Sequence, residues 1–92
     1  MAASYLIRFR ITRAGSWIEA GIVRASTPAD ARLIATEVWP ALAMVADRGN
    51  VWGATRILTY RPSELFLQPA EVSSKLHSRI RRHRKENNAP DR

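Results

Sequence analysis

Lys75, Arg79, Arg81, Arg82, Arg84 and Lys85 stand within an eleven-residue span, interleaved with His77 and His83. Cations at this density neutralise phosphates and release their counterions, so the chemistry they suggest is polyanion binding. Residues 75–92 hold seven of the fifteen Lys/Arg against two acids, Glu86 and Asp91, whereas residues 1–74 set eight bases against six acids. Most of the formal charge of +7 therefore belongs to the C-terminal segment. Six engaged phosphates would give a slope of about −5 for log affinity against log salt. All the cations but Lys75 and Lys85 are Arg, whose planar fork grips phosphate or carboxylate two bonds at a time. A GC-rich genome would favour the same codons, so the Arg bias has two readings.

A second set of residues is scattered through the body. Arg8 and Arg10 alternate with apolar residues, and Arg24 and Arg56 lie in later β-like stretches, with Trp52 and Tyr60 at the parity of Arg56. Arginines interleaved with aromatics on an open sheet suit single-stranded nucleic acid, whose bases stack on such a surface. Trp52 and Tyr60 have two other uses, as core or as a protein interface.

Nothing in the chain calls for catalysis. His77 and His83 are the only histidines, and a separation of six puts them on different sides of a helix, unlike the four-residue spacing of a helical zinc pair. The body acids are scattered, there is no Gly-rich phosphate loop, and no Ser–His–acid constellation is apparent. No catalytic, cofactor-binding or metal-binding residue, and no small-molecule substrate, is expected. Cys is absent, so disulfides and thiolate metal sites are excluded. No apolar run approaches the roughly 20 residues of a membrane span. The N-terminal Met-Ala-Ala-Ser-Tyr lacks the pattern of a signal peptide, and a cytoplasmic location is expected.

The elements that must position these residues follow from periodicity. Tyr5, Ile7, Phe9 and Ile11 alternate with Leu6, Arg8, Arg10 and Thr12, the pattern of a half-buried strand over 5–12. A turn at 13–16 leads to a second strand over 17–25, making a hairpin. Ser26 or Thr27 can cap a helix whose first turn holds Pro28 and Asp30. Ala31, Ile34, Val38 and Leu42 then fall near one face, and Pro40 imposes a kink or break, with a second helical piece reaching about Ala46. Asp47-Arg48-Gly49-Asn50 reads as a turn, residues 51–60 as a third strand, and residues 63–66 as a short helical turn. After Pro69 a basic helix carries an apolar stripe of Val72, Leu76 and Ile80.

The sequence thus predicts an α+β fold of two layers, with a three-stranded antiparallel sheet (ββαβ) packed on one long kinked helix and followed by a basic C-terminal helix. The body spans 1–69, the amphipathic basic helix 70–86, and a disordered tail 87–92. The third strand can lie beside the first, because a helical crossover reaches the far edge.

Tyr5-Leu6-Ile7-Arg8, Ile18-Glu19-Ala20, the stretch from Ala25 to Ala35 and Thr55-Arg56-Ile57-Leu58 together resemble the small ββαβ proteins of phages and other mobile elements, including some anti-CRISPR inhibitors of type I surveillance complexes. The likeness covers residues 5–60 and rests on a capped amphipathic helix between strands. It implies a non-enzymatic protein that occupies a surface on a host complex, and it carries over no individual residue.

Two functions are expected from these readings. One is a small basic module that binds nucleic acid through phosphate contacts of low sequence selectivity, using Lys75, Arg79, Arg81, Arg82, Arg84 and Lys85 with Arg8, Arg10 and Arg56. The other is an inhibitor that binds a host nucleoprotein or protein complex. A membrane-surface helix and a solubilising tail are further uses open to the basic segment. Three Trp in a body this small also suggest a homodimer interface.

Overall fold

The computed structural model describes residues 2–45, 48–58 and 64–81. Tyr60, Arg82, Arg84 and Lys85, and the tail from residue 87, lie outside the described residues. The fold is α+β, and the hairpin is formed by β1, Ala3–Phe9, and β2, Ile18–Ala25. The chain crosses through α1, Pro28–Val38, a 3-10 segment, Pro40–Met44, and a one-turn helix α2, Arg48–Val51, into β3, Trp52–Ile57. β3 runs antiparallel beside β1, on the side away from β2.

Among the described residues the sheet has four strands rather than three. Glu64–Leu65, expected as part of a helical turn, is β4 and pairs antiparallel with Gly21 and Ile22, giving the order β3-β1-β2-β4. Two residues cannot display a period of two, so this strand has no signature in the sequence. What holds it is backbone: Phe66 and Leu67 both donate to the carbonyl of Ala20 at 3.0 Å.

Capping and proline placement account for the helices. Thr27 Oγ1 accepts from the Asp30 amide at 3.1 Å, and Pro28 sits in the first turn of α1. Pro40 has no amide hydrogen, and the single kinked helix expected there is instead two pieces, α1 and the 3-10 segment. Between them Trp39 is fully buried and donates from Nε1 to the Leu67 carbonyl at 2.8 Å. Ala31 and Ala35, one turn apart and both 0% exposed, let α1 lie close against the sheet.

Residues directly opposite one another share a face. Tyr5, Ile7 and Phe9 point toward the helices, opposite Val23, Gly21 and Ile18 on β2 and Arg56, Ala54 and Trp52 on β3. The β1–β2 register slips between Ile7 and Arg8, so Ala20 is an extra residue in β2. Strict alternation would put Ile18, Ala20 and Ile22 on one face with Arg24. The bulge turns Ile18 inward against Phe9 and leaves Ile22 and Arg24 outward.

The C-terminal helical segment begins with α3, Pro69–Lys75, and residues 77–81 are helical again. Gln68 and Glu71 form a capping box, with the Gln68 amide donating to Glu71 Oε1 at 3.1 Å. Val72, Leu76 and Ile80 are buried in the same cluster as Phe9, Trp39 and Leu42. The apolar stripe of this helix therefore docks on the protein's own core. None of the described helices is long and apolar enough to cross a membrane.

Candidate nucleic-acid interface

Because Ile7 and Phe9 face the core, alternation sends Arg8 and Arg10 to the outer side of the sheet. That side is closed near Ser4 and Ile22, 1% and 5% exposed, and opens toward the β1–β2 connection. There Trp17 stands just before β2, 41% exposed. The Arg10 guanidinium carbon lies 4.4 Å from its ring centroid and that of Arg8 5.3 Å, both within cation–π range. Each guanidinium is also held by the protein. Arg10 donates from Nε to the Asn50 carbonyl at 2.8 Å, and Arg8 reaches Thr55 Oγ1 at 3.5 Å. The result is an aromatic plane with two positive charges against it, on the outer side of the sheet.

Trp17 escapes the sequence reading. It opens the stretch read as the second strand, but the strand itself begins at Ile18, and only the folded hairpin brings Trp17 against Arg8 and Arg10. A large aromatic beside a turn, flanked by arginines across the hairpin, is the signal that points to it. Arg24 is exposed on the same outer face, opposite Ser4.

Trp52 and Arg56 do not join this face. The register sets Trp52 against Phe9 and Arg56 against Tyr5, both inward-facing residues. Trp52 is 2% exposed and belongs to the core, and among the described residues its buried Nε1 has no hydrogen-bond partner. Arg56 remains exposed at the sheet edge, on the helix-covered side. The parity shared by 52 and 56 is real, but it is the parity of the core. Arg32, from the exposed side of α1, lies 5.9 Å from the Trp52 ring centroid.

In the C-terminal helix, Lys75, His77 and Arg81 are exposed. Arg79 is half-buried and donates from Nε to the carbonyl of Ile11, so it ties the helix to the β1–β2 connection. Arg79 thus sits beside the hairpin end of the sheet, while Lys75 and Arg81 face solvent.

A groove of about 270 Å³ passes beside the cluster, lined by Arg8 and Trp17 on one side and by Pro28, Arg32 and Trp52 on the other. Among the described residues there is no group of three or more His, Asp or Glu placed to hold a metal ion. No family model, curated protein or solved structure matches this chain.

Proposed function

We propose that this protein binds nucleic acid, with Arg8, Arg10 and Trp17 as its contact platform and the cations of the C-terminal helix as further phosphate contacts. The observation that carries the reading is the half-exposed Trp17 with two guanidiniums held within 6 Å of its ring. Bases stack on such a plane whatever their identity, and arginines beside it meet the phosphates that flank the stacked base. Both contacts are insensitive to sequence, so low selectivity follows. The net charge of +7 supplies the long-range attraction.

Titrating labelled single- and double-stranded DNA and RNA across a salt series tests the reading. Binding should weaken with salt by about 0.7 log units per decade for each phosphate engaged on a single strand. Trp17→Ala should weaken single-strand binding by about 5- to 150-fold, the range of one base stacked on an aromatic ring. Absence of binding to every nucleic acid near physiological salt would refute the proposal. The second reading, an inhibitor of a host nucleoprotein or protein complex, would then lead, since Trp and Arg are also the residues that dominate protein hot spots.

A further inference from the structure

Gly53 lines the groove. It lies on the edge strand β3, directly opposite Arg8, where a side chain would project to the outer face. A Cβ built at Gly53 meets nothing within 4 Å, so the space beside it is open. Glycine inside a strand weakens the strand, and such positions often mark the close approach of a ligand or another backbone. Among the described residues, no neighbouring strand pairs with the free side of β3. The groove therefore passes over an open sheet edge, from the Arg8–Trp17 cluster on the outer face to Pro28 and Arg32 on α1.

Its chemistry is one-sided. Among the described residues, the lining brings two arginines and two tryptophans and no acid. At about 270 Å³ it falls just under the roughly 300 Å³ at which ordinary small-molecule sites begin. That is room for one planar, anionic unit, with a phosphate between guanidiniums and a ring against an indole. Bases in a duplex are paired and stacked and cannot enter such a space without leaving the helix.

We infer that the groove over Gly53 receives one nucleotide of a single strand, its phosphate between Arg8 and Arg32 and its base against Trp17, and so makes the protein prefer single-stranded over double-stranded nucleic acid. This rests on the nucleic-acid reading above and adds to it a strand preference and a site. Arg32 enters the contact set, although its position on a helix gives it no place in the sheet pattern.

Gly53→Leu is the direct test, because its Cβ enters open space and Gly53 lines the groove that the rest of the side chain would occupy. A fluorescein-labelled oligothymidylate and a mixed-sequence duplex of equal length are titrated with the wild type, Gly53→Leu and Arg32→Gln, after circular dichroism has confirmed matching melting temperatures. The wild type should bind the single strand more tightly, and Gly53→Leu should lose about tenfold on the single strand, toward the low end of one stacked base. Its duplex affinity should change less than twofold, and Arg32→Gln should follow the same split. If Gly53→Leu binds the single strand as well as the wild type does, or loses both ligands equally, the groove assignment is wrong and the general nucleic-acid reading stands. If the wild type binds neither ligand, both are wrong. Should Gly53→Leu melt lower than the wild type, Gly53→Ser gives the same comparison with a smaller intrusion, and an unchanged single-strand preference in both variants overturns the inference.

Discussion

Deleting the basic helix should unfold the protein rather than merely discharge it. Val72 and Leu76 are 0% exposed and Ile80 6%, and all three belong to the one buried cluster. Burying a side chain of this size contributes about 1.5–3 kcal/mol, so the three together contribute roughly 5–9 kcal/mol. A 92-residue domain has a total stability of about 5–14 kcal/mol. Removal of everything after Gln68 therefore takes away a share comparable with the whole. It also exposes Phe9, Trp39 and Leu42, the residues the stripe clusters with. A chain ending at Gln68 should show no cooperative thermal transition by circular dichroism. Leu76→Ala in the full chain should cost about 2–5 kcal/mol, which lowers the melting temperature by at least about 8 °C. Arg81→Gln, on the exposed side of the same helix, should stay within about 0.5 kcal/mol of wild type. A truncated chain that melts cooperatively within a few degrees of the full one, with Leu76→Ala no worse than Arg81→Gln, would refute this account. The outcome also governs how binding data are read, because a loss of affinity on truncation says nothing about contacts made by the helix if the sheet has gone with it.

Two further outcomes follow from the packing around β2. Gly21→Ala should cost about 1–3 kcal/mol in thermal denaturation, because its Cβ would lie 2.6 Å from the Glu64 carbonyl oxygen and 2.9 Å from the Trp39 ring; an unchanged melting temperature would show that β4 moves away freely. Trp39→Phe should destabilise more than Trp52→Phe in urea unfolding, since the first breaks the Nε1 bond to Leu67 and the second removes a buried donor that has no partner among the described residues; equal shifts in midpoint would contradict that difference.

The parts of this fold that could be read from sequence are those fixed by local rules. Alternation in β1, the Thr27 cap, the break at Pro40 and the four-residue spacing of Val72, Leu76 and Ile80 each reflect one element's own geometry. The parts that could not be read depend on two elements at once. β4 exists because Glu64 and Leu65 find Gly21 and Ile22, not because of what those two residues are. Ala20 becomes a bulge only through pairing with β1, and that one extra residue changes which face Ile18 occupies. The face of β3 likewise has no local answer. Trp52 and Arg56 share a parity in the sequence, and only the register against Phe9 and Tyr5 shows that parity to be inward. The candidate site inherits the same limit: Arg8 and Arg10 follow from alternation, whereas Trp17, Arg32 and the gap at Gly53 meet them only in the folded sheet.

The position of the charge and the position of the binding surface need not coincide. Counterion release depends on how many cations reach phosphates, and it rewards them almost irrespective of geometry. Beyond about 8–10 Å at physiological salt the field of an exposed cation is screened, so in the proposed complex those on the C-terminal helix would act mainly on encounter and on nearby phosphates. Discrimination between nucleic acids needs a fixed shape, and fixed shape requires side chains with little freedom. Arg8 and Arg10 meet that requirement through Thr55, Asn50 and the Trp17 ring, while Lys75 and Arg81 stand exposed with long free stems. Arg79 lies between the two regimes, because its bond to the Ile11 carbonyl spends one donor on joining the helix to the hairpin. On the proposed nucleic-acid reading, the densest charge in the chain thus serves attraction and the sparser arginines of the sheet serve selection.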